Sequence, residues 1–281
     1  MTPAPFFTRF SSRLRVVAPS LIVALAALGL WAFLSWLRVF PPSLVPPPWN
    51  MTGNSSAANA LDVTAPDNVW EGFLELLHSG RLFDDTVASL FRVAVGFGLA
   101  VLAGVPFGLW LGSAIGARRA LLPGVNFFRS LSPIAWIGFA ILWFGIGDAS
   151  SIFLIFMATF FPIVLATVAA VSSIPTVYFR VARDYGLRGN QLLSQVVLPA
   201  ILPQLIVALR VTAGVAWVVV VAAEMNGAQQ GLGFAIHDAR NALRADLLVV
   251  GMIAIGTVGL AMDSILARLS HLPGVRWGYD R

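Results

Sequence analysis

The chain has 281 residues, of which 58% are hydrophobic and only 11% are charged. This composition is too apolar for a soluble domain of that length, so we expect lipid around much of the chain. The sequence contains no cysteine, which excludes disulfides and thiolate metal sites. The net charge of +5 comes from arginines scattered at the ends of apolar runs, which argues against a nucleic-acid-binding face.

Six runs reach about 20 apolar residues, the length that a helix needs to cross a bilayer. They extend over residues 16–37, about 93–115, about 127–146, about 151–173, about 199–223 and about 247–267. The third run is broken by Pro133, the fifth contains Arg210 and the sixth contains Asp263. The sequence therefore predicts an all-α integral membrane protein with six transmembrane helices per subunit.

The first run, residues 16–37, follows Arg9, Arg13 and Arg15, as the apolar part of a signal peptide would. It is long for a signal peptide, however, and it ends in prolines without a small-residue cleavage pattern. We therefore expect a retained anchor that follows a cytoplasmic N-terminus, residues 1–15.

The arginines also predict the orientation, because all 18 basic residues are arginine and cytoplasmic loops carry an excess of positive charge. An inside N-terminus places the arginine-rich segments in the cytoplasm and the acid-rich segments outside. Both termini, residues 1–15 and 271–281, are then cytoplasmic.

An outer segment, residues 38–85, separates the first two runs. Its first part is rich in Pro, Gly, Asn and Ser and is typical of a loop. Residues 66–77 then repeat apolar side chains at helical spacing, which predicts an amphipathic helix along the outer face. Packing and partner docking are both possible roles for this helix.

The lack of lysine removes the phosphate loop of ATPases, which needs a lysine on the β and γ phosphates. If ATP powers transport here, another chain must bind the ATP and Mg²⁺. The three histidines are far apart, so no metal site is expected and no cofactor is assigned to this chain.

A polar segment, residues 175–198, lies between the fourth and fifth runs. Apolar residues and three arginines alternate around Gly186 and Gly189, which predicts one or two short helices. Such a helix can press into a groove on a soluble partner. An ordinary solvated loop is the alternative.

The spacing of this segment resembles the signature of ABC importer permeases, in which a Glu-Ala-Ala triplet precedes a glycine and then Leu-Pro. Gly186 and Leu198-Pro199 stand at the separations of that signature, and Arg180-Val181-Ala182 occupies the triplet. An arginine in place of the glutamate resembles the branch that handles sulfonates, taurine, nitrate and bicarbonate. Other segments resemble the same branch, namely residues 132–136, 143–147, 208–210, 216–217, 222–225 and 231–233.

The resemblance covers roughly residues 86–270 and implies a type I ABC importer permease fold that works by alternating access. The implied partners are a second copy of the chain in a homodimer, two cytoplasmic ATP-binding subunits, a periplasmic substrate-binding protein and membrane lipid. The implied location is the bacterial inner (plasma) membrane. The residues that would couple to the ATPases are Arg180, Val181, Ala182, Arg183, Asp184, Tyr185, Gly186, Leu187, Arg188 and Pro199.

Four residues inside the runs are candidates for the substrate pathway. Arg210 could present a cation to an anionic cargo, or it could pair with another helix or snorkel towards the membrane surface. Glu224 would repel an anion, so holding the loop of residues 225–233 or facing the binding protein is the alternative. Trp136 and Trp217 are the aromatic candidates, although aromatic residues are common near membrane interfaces in any case.

Two other classes of protein are alternatives to a permease. A secondary transporter or channel would more often show repeated halves with broken helices at matching positions, and none is visible. An intramembrane enzyme would need convergent catalytic groups, and the runs contain no such set. The favoured function is the permease subunit of an ATP-driven, binding-protein-dependent importer of a small anion.

Overall fold

The computed structural model describes residues 22–23, 25–37, 48 and 68–269. Within these residues the chain is helical and contains no strand. The predictions for residues 1–15, for the start of the first run, for the loop up to residue 67 and for residues 271–281 lie outside the described residues.

Eleven helices account for most of the described chain. Two irregular turns, the 3₁₀ turn Pro133–Trp136 and the π-helical turn Leu193–Val197, lead into α5 and α9. The helices are α1 (Leu25–Trp36), α2 (Val69–His78), α3 (Arg81–Ser113), α4 (Ile115–Ser130), α5 (Ile137–Phe144), α6 (Asp148–Ser172), α7 (Thr176–Asp184), α8 (Gly189–Leu192), α9 (Leu198–Gly227), α10 (Leu232–Asn241) and α11 (Ala245–Leu269).

Four of these helices, α3, α6, α9 and α11, are long and apolar enough to cross a bilayer. The pair of α4 with the arm from Pro133 to Phe144 is bent by 86° and makes a fifth span if both arms are counted together. The first of the six predicted spans corresponds to α1, of which only part is described. The described residues therefore support an all-α membrane protein with four or five spans.

The spans differ from the predicted runs mainly at their starts. Helix α3 begins at Arg81, well before the predicted start near Val93, and two charged residues of this added part, Asp85 and Arg92, have partners elsewhere in the larger unit. The third run is broken at Pro133 as expected, but its first arm begins at Ile115, directly after α3.

A row of small residues on α3 sets its packing against α6. Gly96 faces Ile155 and Gly108 faces Thr167, so the two helices run in the same direction. A Cβ added at Gly108 would lie 2.6 Å from the Thr167 Cβ, which leaves no room for any larger residue. Small residues at four-residue spacing allow two membrane helices to approach closely. The row consists of Gly96, Ala100, Gly104, Gly108 and Gly112.

The described residues fall into two compact units. The smaller unit combines residues 68–79 with Ala239–Val250, and the larger combines Gly80–Asp238 with residues 251–269. All the candidate site residues belong to the larger unit.

In the smaller unit, Arg244 links α2 to the start of α11. Arg244 donates to the carboxylates of Asp246, at 2.7 Å, and Glu75, at 2.8 Å. The hydrogen bonds with Asp246 raise the pKa of Arg244 above its usual value, so the guanidinium keeps its charge. Gly72 packs against the side chain of buried Asp246. These contacts fasten α2 to the turn before α11, in agreement with the packing interpretation of the amphipathic helix.

Candidate functional site

The polar segment between the fourth and fifth runs folds as a short helix, α7, with a defined end. The Leu187 N–H donates to the Ala182 carbonyl and the Gly186 N–H donates to the Arg183 carbonyl, both at 2.9 Å. This pair of bonds is a Schellman motif, which needs a left-handed residue after the helix. Gly186 supplies it with φ of 76°. The motif gives a local reason for a glycine four residues after Ala182.

Helix α7 presents one face to the protein and leaves the other uncovered. Phe179 packs on an apolar cluster that contains Ile174 and Val171 at the end of α6, and Ile201 and Leu205 of α9. Among the predicted coupling residues, Ala182 is buried and Leu187 is partly buried. The exposed members are Arg180, Val181, Arg183, Asp184, Tyr185, Gly186, Arg188 and Pro199.

The segment passes into a membrane span without a loop. The π-helical turn Leu193–Val197 continues directly into α9, so that residues 193–227 form one helical span. Pro199 is the second residue of α9 and follows the π-helical turn directly, so its missing N–H lies where the helical hydrogen-bond pattern changes. Because the same apolar cluster touches α6, α7 and α9, a force applied to α7 reaches two spans through packed side chains.

At the other end of the larger unit, Arg92 of α3 and Glu224 of α9 form a buried ion pair. Arg92 Nη1 lies 2.6 Å from Glu224 Oε1, and the two side chains are 4% and 0% exposed. Arg92 also donates to Asp148 at the start of α6, at 2.7 Å, and to the Gln230 carbonyl, at 2.7 Å. Ser89 donates to the other Glu224 oxygen at 2.9 Å. Three spans and one loop therefore share a single charge network.

The network also positions the loop between α9 and α10. Glu224 accepts from the Gly233 N–H at 2.9 Å, and Asp85 accepts from the Gly231 N–H at 2.8 Å. Gly231 has φ of 118°, and a Cβ there would overlap the Glu224 carboxylate. Glu224 thus holds the loop of residues 225–233, the role weighed as its alternative.

A second ion pair joins α9 to α11. Arg210 donates from Nε and Nη2 to the two oxygens of Asp263, each at 2.6 Å. The two side chains are 44% and 50% exposed. This is a two-pronged guanidinium–carboxylate pair, the geometry that makes arginine a strong binder of oxyanions.

The two tryptophan candidates lie in different surroundings. Trp217 is buried on α9 and its Nε1 donates to the Ile255 carbonyl at 3.1 Å, with Gly259 packed against its ring. Trp136 is partly buried and packs near Ala140. The structure does not bring Trp136, Trp217, Glu224 and Arg210 into one pocket. A pathway role for them stays a prediction.

Sequence reasoning singled out the charged residues but not their partners. Glu224, Arg210 and Asp263 were recognisable because charges inside spans usually pair with one another. Their pairing could not be read from positions 132 and 53 residues apart. Ser89, a common and unremarkable residue in sequence, gave no signal at all.

Comparisons with known proteins agree on one family. Residues 104–272 match the family described as "Binding-protein-dependent transport system inner membrane component". The chain is 31% identical to the taurine transport system permease protein of Escherichia coli over 92% of this chain and 89% of that protein. It is 37% identical to the bicarbonate transport system permease protein of Synechococcus elongatus over 68% of this chain and 69% of that protein.

Solved structures show the same fold. An inward-facing structure of the MetNI methionine ABC transporter matches with a TM-score of 0.57 at 21% identity, over 68% of this chain and 97% of the matched chain. The arrangement of helices is therefore that of an ABC importer permease.

Proposed function

The chain belongs to the family of binding-protein-dependent transport system inner membrane components, and on that premise we propose that it imports a small anion. It is a permease subunit of an ABC importer. The cargo we propose is of the taurine and sulfonate, nitrate or bicarbonate class. The single observation that carries this choice is its similarity to permeases named for taurine and bicarbonate transport.

The proposed assembly contains two copies of this chain, two ATP-binding subunits and a substrate-binding protein, surrounded by lipid. ATP and Mg²⁺ are bound by the ATP-binding subunits, and this chain carries no cofactor. Both termini and α7 face the cytoplasm, as the distribution of arginine indicates. The loop between α9 and α10 then lies on the periplasmic side, where the binding protein docks.

Transport proceeds by alternating access. ATP-driven closure of the two ATP-binding subunits moves α7, whose exposed face carries Tyr178, Val181 and Tyr185. The cluster around Phe179 transmits the movement to α6 and α9. Because α9 is continuous with the coupling segment, its displacement changes the side of the membrane to which the pathway opens.

Purification from the native membrane in mild detergent tests the assembly. We expect an ATPase with a phosphate loop to copurify at one copy per permease, and we expect the ATPase activity to rise when the loaded binding protein is added. A lone oligomer without an ATPase would contradict the proposal and favour a secondary transporter or channel.

The Gly186→Val substitution tests the coupling role of α7. A branched side chain is strained at φ of 76°, so the Schellman motif should open and stimulation of the ATPase should fall, while membrane insertion is kept. Gly116→Val is the matched control, because neither glycine has an atom within 4 Å of an added Cβ and only Gly186 has a positive φ. Normal stimulation in the Gly186 variant would refute the coupling role.

A further inference from the structure

Arg210 lies near the middle of α9, whereas Asp263 lies about 9 Å before the end of α11, and both side chains remain uncovered. Arg210 is about 18 Å along α9 from Leu198 and about 25 Å from Gly227, at 1.5 Å per residue. Its side chain and that of Asp263 are 44% and 50% exposed. Charged side chains at such a depth face the interior of a bundle or a water-filled cavity, because hydrocarbon does not solvate them. This face of α9 and α11 is therefore not turned to lipid.

The surroundings of the pair leave room for water and a small ion. Both charged residues line an open groove of about 410 Å³, within the range of small-molecule sites. The rest of the groove lining that the structure describes is apolar. The other lining residues are Ile206, Val207, Val211, Gly214 and Leu266.

The contact with Asp263 shows that Arg210 binds a group that offers two oxygens. Its two carboxylate oxygens occupy both prongs of the guanidinium at 2.6 Å. Carboxylate, sulfonate, nitrate and bicarbonate all offer two oxygens to such a fork. Asp263 is half exposed, so water can solvate its carboxylate once another anion has taken its place. Glu224 is fully buried and has no such alternative.

We propose that the Arg210–Asp263 pair is an oxyanion-binding station on a water-filled pathway, at which the anionic group of the cargo displaces Asp263 from Arg210. The proposal rests on the function proposed above and names a contact for its cargo. With no cargo, Asp263 offsets the charge of Arg210. With cargo bound, the displaced Asp263 is hydrated and repels a second anion, which limits the station to one.

Cysteine labelling tests the water-filled face, and the chain suits it because it contains no cysteine. Val211→Cys, next to the pair and 66% exposed, is compared with Leu102→Cys on α3, 74% exposed. Membranes containing the whole complex, nucleotide-free or vanadate-trapped, are treated with an anionic and a cationic water-soluble methanethiosulfonate. We expect both reagents to label V211C in at least one state and neither to label L102C.

Protection by anions tests the station itself. Sodium nitrate or sodium methanesulfonate, replacing sodium chloride, should slow labelling of V211C. Adding Asp263→Asn removes the internal competitor and should lower the half-protecting concentration about fivefold. Adding Arg210→Gln should abolish protection while labelling continues.

Three results would overturn the proposal. The first is that V211C stays unlabelled in both states. The second is a disulfide between the V211C residues of two copies, which would make this face a protein interface. The third is protection by anions that persists in the Arg210 variant. Failure of the proposed function looks different, because without an ATPase vanadate would trap no second state, while labelling of V211C and its protection by anions could still be measured in nucleotide-free membranes.

Discussion

The two ion pairs of the larger unit have the same chemistry and opposite surroundings. Arg92 and Glu224 are 4% and 0% exposed, whereas Arg210 and Asp263 are 44% and 50% exposed. Both Glu224 oxygens are engaged by fixed donors of the protein, Ser89 and Arg92 of α3 and Gly233 of α10. Asp263 shows a single arginine partner in the ion pair and open space beside it. A buried ion pair of this kind stabilises the fold, whereas an exposed ion pair can exchange its partner.

The largest expected effect follows from breaking the buried pair. Glu224→Ala leaves the Arg92 charge buried with fewer partners, and removing one member of a buried pair costs about 3–5 kcal/mol. The variant should be recovered in low yield, with a clearly lower melting temperature in detergent.

Two controls accompany this variant. Glu224→Gln keeps the shape and an acceptor for the Gly233 N–H, so its loss should be smaller. Asp263→Ala removes a carboxylate that is half exposed, and its melting temperature should stay close to that of the unaltered chain. Equal melting temperatures for the Glu224 and Asp263 variants would contradict a stabilising role that is specific to the buried Arg92–Glu224 pair.

A smaller effect is expected from crowding the Arg92–Glu224 pair without changing its charge. Gly231→Ala places a methyl group on the Glu224 carboxylate at φ of 118°, and overpacking of this kind costs about 1–3 kcal/mol. Thermal unfolding in detergent measures the loss. Gly256→Ala on α11, with nothing within 4 Å of its added Cβ, is the matched control. If both variants melt alike, the loop between α9 and α10 is not held as tightly as its hydrogen bonds indicate.

The smallest effect concerns the exposed pair. A double-mutant cycle with Arg210→Gln and Asp263→Asn should give a coupling energy of about 1 kcal/mol or less. The same cycle with Arg92→Gln and Glu224→Gln should give about 2–3 kcal/mol, as residues of one buried network do. Coupling energies from unfolding in detergent that are equal at the two sites would show that exposure does not separate their roles.

The helices that could be predicted from sequence are those with a strong local signal. The spans α6, α9 and α11 begin and end within a few residues of the predicted runs, because long uncharged runs have few alternatives in a membrane. The start of α3 was missed because Asp85 and Arg92 make the sequence look polar there. Both find partners only in the folded chain, Asp85 at the Gly231 N–H and Arg92 at Glu224.

The candidate site also has residues that could be predicted from sequence and residues that could not. Gly186 could be identified from sequence because helix ends obey local rules. The exposure of Arg210 and Asp263 could not be predicted from sequence, since it depends on which sides of α9 and α11 the rest of the bundle covers. Glu224, a pathway candidate by sequence, is fully buried because Ser89, Arg92 and Gly233 converge on it.

Composition and the apolar runs were enough to predict a helical membrane protein, because bilayer thickness acts on short stretches of chain. The family followed from the resemblance of the polar segment to the signature of ABC importer permeases. The tertiary structure decided which charges are partners and which stay accessible. Those pairings join residues far apart in sequence, and whether a charge is buried or exposed is set by the packing of several helices together.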